Sequence, residues 1–151
     1  MLPQPATLLF QPLRLLPNAL LGQTMLRLLN QALAPLHAAG DLDFLRERAL
    51  AVKVDDLERT WCFTVNDRGI ALEPQACPDA VIAGRARDLL MLASRREDPD
   101  TLFFKRRLRI EGDTELGLHA KHVLDAVELT DLPSPLRWAL QASADVVARL
   151  P

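Results

Sequence analysis

Cysteine is scarce in this chain of 151 residues, and several ligand-binding motifs are missing. Cys62 and Cys77 lack Cys-X-X-Cys spacing, which excludes a disulfide scaffold and favours reduced thiols in a cytoplasm. Neither a Gly-X-Gly-X-X-Gly nor a P-loop motif occurs, and no run of about 18 apolar residues predicts a transmembrane helix. A net charge of −2 argues against nucleic-acid binding.

Candidate catalytic and metal-binding side chains are few. A nucleophilic Cys62 would need a histidine base, and the chain has only three histidines. His119, His122 and Asp125 follow one another at intervals of three, but they fan out over the polar side of a predicted helix. We therefore read them as solvated residues and expect no enzyme activity, no metal and no cofactor.

The first 40 residues contain no aspartate or glutamate. From Pro17 to Gly40 the apolar residues recur with the 3.6-residue period of an amphipathic helix. This helix could pack against a core or a second copy, or it could lie in a lipid surface. We treat residues 1–40 as a membrane-associating extension and residues 41–151 as the main domain. The candidate membrane-contacting residues are Leu20, Leu21, Met25, Leu28, Leu29 and Leu33.

Period-two alternation of apolar residues predicts a sheet in the middle of the chain. The predicted strands are 50–54, 60–65, 70–72, 80–83 and a fifth strand at 101–111. Helical patterns occupy 85–96, the stretch after Thr114 and the stretch after Ser134. The order of elements predicts an α+β fold, with a small mixed sheet covered by helices on one face.

The segment Glu111-Gly112-Asp113-Thr114 joins a predicted strand to a predicted helix, as phosphate-binding loops do. Asp113 and Glu115 would repel a phosphate from this helix start, so we reject that function. Gly117 lies inside the same predicted helix, where glycine costs about 1 kcal/mol relative to alanine. Either a ligand or the sheet is expected to approach the backbone closely at Gly117.

Three segments resemble the sterol carrier protein type-2 lipid-binding family: GDLDFLRERALAVKVDDL at 40–57, DAVIAG at 79–84 and EDPDTLFFKRRLRIEGDTELGLHAKHVLDA at 97–126. The resemblance implies a five-stranded mixed sheet backed by helices, with an apolar cavity between them. The apolar residues of the predicted sheet and facing helix are the candidate lining. They are Trp61, Phe63, Ile82, Phe104, Leu108, Leu116, Ala120, Val123, Leu124 and Val127, and each could equally be ordinary core.

Within that family the chain resembles more closely the non-catalytic accessory factors of bacterial, oxygen-independent ubiquinone synthesis. The resemblance implies a polyprenylated quinone precursor or a phospholipid as ligand. It also implies two iron–sulfur hydroxylase-type partners, UbiU and UbiV, and a cytoplasmic protein at the inner-membrane surface. The alternative is a structural or interaction protein whose core is filled and has no ligand cavity.

Basic residues are concentrated between residues 85 and 109, which hold eight of the 18 lysines and arginines. The densest group is Lys105-Arg106-Arg107. Such a cluster can contact anionic lipid headgroups or an acidic protein. It can also be a solvated strand face that prevents edge-to-edge pairing.

Overall fold

A five-stranded sheet forms the centre of the computed structural model, which describes Pro12, residues 15–126 and residues 134–150. The predicted α+β class with a mixed sheet and an N-terminal helix is confirmed. The strands are β1 (Leu50–Val54), β2 (Arg59–Asn66), β3 (Gly69–Leu72), β4 (Ala80–Gly84) and β5 (Leu108–Gly112). The helices are α1 (Asn18–Ala38), α2 (Ala86–Ala93), α3 (Pro99–Phe104), α4 (Thr114–Ala126) and α5 (Ser134–Ala148).

The strand order is β3-β2-β1-β4-β5. All neighbouring strands are antiparallel except the central pair of β1 and β4, which is parallel. In the register, Val52 lies opposite Trp61 on one side and Ile82 on the other. Since side chains alternate between faces, these three residues point to the same side of the sheet. That side carries the main core.

Helix α4 covers the β4–β5 end of this inner face. Gly117 is buried, and a Cβ atom at this position would collide with the side chain of Ile110. The close approach expected at Gly117 is therefore the approach of the sheet. Glycine is needed there because any side chain would push α4 away from β5.

Helix α1 lies along β3, at the other end of the sheet. Gly22 lets the helix approach Trp61, whose indole Nε1 donates to the carbonyl oxygen of Asn18 at 3.1 Å. The Asn30 amide pairs with the backbone of Ile70, donating to its carbonyl at 3.0 Å and accepting from its N–H at 2.8 Å. Because β3 is an edge strand, these bonds satisfy backbone groups that lack a neighbouring strand.

The prediction of a single strand over residues 101–111 is wrong for its first half. Residues 99–104 form α3, and the strand begins only at Leu108. Asp98 caps α3, since its carboxylate accepts from the N–H groups of Asp100 and Thr101. Pro99 occupies the first helical position, where its missing N–H costs nothing. These two local signals outweigh the alternating apolar and basic pattern that follows.

Helix α5 packs on α2, where Met91, Ala144 and Val147 form a second, smaller cluster. Within the described ranges, no helix combines the length and the apolar character needed to cross a membrane.

Candidate functional site

An apolar cavity of about 90 Å³ lies between the inner face of the sheet, α1 and α4. Every residue around it has a hydrocarbon or aromatic side chain. The lining residues are Leu29, Leu33, Leu42, Phe44, Leu45, Leu50, Val52, Phe63, Ile70, Ile82, Ala120, Val123 and Leu124. Such a space can hold an apolar group, and it offers no hydrogen bond to a polar one.

Five of the predicted lining residues surround this cavity: Phe63, Ile82, Ala120, Val123 and Leu124. A second apolar pocket of about 20 Å³ adjoins it and shares Ile82 and Leu124 with it. The predicted residue Leu108 lines this smaller pocket. Trp61 and Leu116 are buried in the core but line neither space.

Phe104 does not lie in the cavity, and its prediction as a lining residue is wrong. Its side chain is 82% exposed because it ends α3 instead of pointing inward from a strand. Val127, the last predicted lining residue, lies outside the described residues.

The predicted membrane-contacting residues of α1 have different surroundings. Leu33 is buried and lines the cavity together with the half-buried Leu29. Leu21 and Met25 pack against the core, and Leu28 is half-buried. Leu20 is 53% exposed. In this arrangement α1 covers the cavity and presents little apolar surface to solvent.

An open groove of about 390 Å³ adjoins the cavity at Phe44. Both spaces share Phe44 and Val123, and the groove is also lined by the polar residues Asp41, His119 and His122. The Phe44 ring stacks on the imidazole of His119, with 3.9 Å between centroids and 12° between planes. The sequence analysis missed Phe44, because Asp41–Leu45 has the pattern of a capped turn.

A second feature is a polar cleft of about 610 Å³ near the start of α2, which we call the arginine cleft. Arg107 bridges Asp88 and Glu97 at 2.6 Å, and Arg109 pairs with Asp55 at 2.8 Å. The hydrogen bond from Arg107 to Glu97, together with that to Asp88, raises the pKa of its guanidinium. The residues that line the cleft are Asp55, Arg85, Arg87, Asp88, Arg106, Arg107 and Arg109.

Burial also raises the pKa of the Cys62 thiol, which keeps it protonated and unreactive. Across the described ranges, no group of three or more His, Cys, Asp or Glu side chains is arranged to hold a metal ion.

Comparison with known proteins agrees with this geometry. The model of the SCP-2 sterol transfer family matches residues 26–125. The chain belongs to the SCP-2 sterol transfer family. It is 42% identical to the ubiquinone biosynthesis accessory factor UbiT of Escherichia coli K12 over 141 residues, covering 93% of this chain and 81% of that protein. UbiT of Escherichia coli O157:H7 is equally similar.

Among solved structures, the UbiJ-SCP2 ubiquinone synthesis protein superposes with a TM-score of 0.55 at 19% identity. The match covers 79% of this chain and 99% of that one, and it confirms the SCP-2 fold. The resemblance of the three sequence segments to the sterol carrier protein type-2 family is therefore confirmed. Within this family, the 42% identity groups the chain with UbiT.

Proposed function

We propose that this protein is a non-catalytic, lipid-binding accessory factor of ubiquinone biosynthesis. The supporting observation is a wholly apolar cavity between sheet and helices, in a chain that shares 42% identity with UbiT. The ligand would be a polyprenylated quinone precursor or a phospholipid, whose hydrocarbon chain occupies this cavity. Its head would lie in the open groove beside His119 and His122.

The hydrophobic effect explains why such a carrier is needed. Each buried CH₂ group contributes about 0.8 kcal/mol, so an isoprene unit of five carbons contributes roughly 4 kcal/mol. A chain of several units will not leave a bilayer for water. A protein can present the attached ring to enzymes only if it offers an equally apolar environment.

The size of the cavity sets a requirement. Pockets for drug-sized ligands have about 300–1,000 Å³, whereas this cavity has about 90 Å³. A prenyl chain therefore enters only if the walls move apart. Phe44 forms the wall on the side of the open groove, and Leu29 and Leu33 of α1 form the wall on the side of the edge strand β3. We propose that these three side chains are displaced when the chain enters.

Further details come from the likeness to UbiT-type factors. We propose that the protein acts in the oxygen-independent route and presents its ligand to hydroxylase-type partners like UbiU and UbiV. We place it in the cytoplasm at the inner-membrane surface. The membrane contact of α1 stays a prediction. Only Leu20 among its candidate residues is largely exposed, so that contact requires α1 to leave the sheet.

Native lipid extraction tests the proposal. The full chain is purified from its host, extracted with organic solvent, and the extract is analysed by mass spectrometry. Ala120→Leu is the test variant, because Ala120 lines the cavity and three added carbons fill it. Ala139→Leu makes the same change on an exposed position of α5 and serves as the control.

We expect quinone precursors or phospholipid at near-stoichiometric yield in the wild type and in Ala139→Leu, and little in Ala120→Leu. If the extract contains phospholipid alone, the protein binds lipid, but the quinone precursor is refuted as its ligand. A folded wild-type protein without lipid would refute the proposal and favour an interaction protein with a filled core. Equal yields from all three proteins would show that the lipid binds elsewhere.

A further inference from the structure

The turn between α3 and β5, residues 103–107, carries exposed aromatic and basic side chains on a fixed backbone. Phe104 is 82% exposed and Phe103 is 37% exposed, with their rings edge to face at 6.4 Å. Lys105 and Arg106 follow directly, and both are exposed. Aromatic rings next to cations are typical of surfaces that contact the headgroup region of a bilayer.

The backbone of this turn is held in place from both sides. Leu102 is fully buried before it, and Arg107 bridges Asp88 and Glu97 after it. Arg106 adopts a left-handed conformation with φ of 59°, which is unfavourable for a side chain other than glycine. This conformation ends α3 and turns the chain toward β5, with the Arg107 N–H donating to the Leu102 carbonyl at 2.9 Å.

The arginine cleft adjoins the turn and extends its positively charged surface. Arg106 belongs to both, and the cleft has five arginines against two aspartates in its lining. Arg107 and Arg109 are paired with carboxylates, whereas Arg85 and Arg106 have no ion pair within the described part of the chain. These two guanidiniums are free to bind phosphate oxygens from outside the protein.

The apolar interior of the protein reaches the surface at the same turn. Phe103 lines the 20 Å³ pocket together with Leu108 and Ile110. That pocket shares Ile82 and Leu124 with the main cavity. A bilayer accepts both the arginines and the phenylalanines and supplies lipid to the pocket beside them, which favours a bilayer over an acidic protein as the partner.

We propose that residues 103–107 and the arginine cleft form a docking face for an anionic bilayer. Phe104 enters the acyl-chain boundary, while Arg85, Lys105 and Arg106 bind headgroup phosphates. This inference rests on the proposed function, since a lipid carrier must meet the membrane that holds its ligand. It assigns a membrane contact to the turn before β5, which needs no movement of α1.

Vesicle co-sedimentation of the full chain tests the docking face. The probes are phosphatidylcholine vesicles with and without a minor fraction of phosphatidylglycerol. One variant, Phe104→Ala, removes the exposed ring, and a second, Arg85→Gln/Arg106→Gln, removes two cleft charges. The matched control Arg27→Gln/Arg68→Gln removes two exposed charges from α1 and the β2–β3 turn. Circular dichroism confirms that each variant is folded, as expected for exposed positions.

We expect binding only to the anionic vesicles, with weakening at high salt. Each cleft charge contributes about fivefold in affinity, so the double variant should bind roughly 25-fold more weakly. Phe104→Ala should also bind more weakly, and the control should stay within about twofold of the wild type. Wild-type affinity in the cleft variant, or an equal loss in the control, would overturn the proposal.

An acidic protein as the true partner would give a different result. The wild type would then bind soluble polyglutamate as tightly as vesicles, and Phe104→Ala would leave vesicle binding unchanged. Lipid extraction separates the two proposals. If the protein binds vesicles through this turn but carries no lipid, the proposed carrier function is refuted. If it carries lipid but does not bind vesicles, only the docking face is refuted.

Discussion

The imidazole of His119 on α4 stacks on the ring of Phe44, with the ring centroids 3.9 Å apart. Phe44 contributes to the wall of both the apolar cavity and the open groove. The stacked pair therefore forms a partition between a polar space and an apolar one. Its position suits a gate for a ligand with a polar head and an apolar tail.

Replacement of Phe44 by alanine should open this partition. We expect uptake of a fluorescent fatty-acid probe to become several-fold faster, because no ring then blocks the path from the groove to the cavity. Stopped-flow fluorescence measures the rate. The control is Leu118→Ala, which removes an exposed side chain next to His119. If both variants take up the probe at the wild-type rate, Phe44 is not the gate.

Asn30→Ala should loosen α1 from the sheet. The substitution leaves the N–H and the carbonyl of Ile70 without their side-chain partner. The expected cost is about 1–3 kcal/mol in the free energy of unfolding, measured by urea denaturation. Probe uptake should also accelerate, since α1 covers the cavity. The exposed neighbour Gln31, replaced by alanine, should change stability by less than about 0.5 kcal/mol.

Gly117→Ala should destabilise the protein, although alanine is intrinsically the better helix former by about 1 kcal/mol. The new Cβ atom would collide with Ile110, and such overpacking typically costs about 1–3 kcal/mol. A double-mutant cycle with Ile110→Ala isolates the collision. The cost of Gly117→Ala should vanish in that background, and a cost that persists would mean that backbone conformation, not Ile110, requires the glycine.

Arg107→Met should destabilise the fold because it leaves the buried carboxylate of Asp88 without its cation. Lost hydrogen bonds to charged groups cost about 1.5–3 kcal/mol. Thermal and urea unfolding measure the loss. Adding Asp88→Asn removes the unpaired charge, so the double variant should recover part of the stability. A double variant as unstable as the sum of both single variants would show that the two residues are not coupled.

The sequence by itself determined four of the five strands and the N-terminal helix. Strands β1 to β3 follow from the alternation of apolar and polar residues, and β4 follows from the short apolar run at 80–83 that Gly84 ends. The extent of α1 follows from its 3.6-residue period and its flanking Pro17 and Gly40. These features depend on local spacing and are visible without any knowledge of distant contacts.

Only the tertiary structure decided what these elements enclose. A stripe of leucines looks the same whether it faces a core, a cavity or a lipid, and the partner of α1 became clear only from the Asn30 bonds to Ile70. Phe104 is exposed because it is the last residue of α3, whereas a strand over residues 101–111 would have included it in β5. Space between side chains is a property of packing among residues far apart in the chain, so the cavity and its partition at Phe44 could not be predicted from spacing.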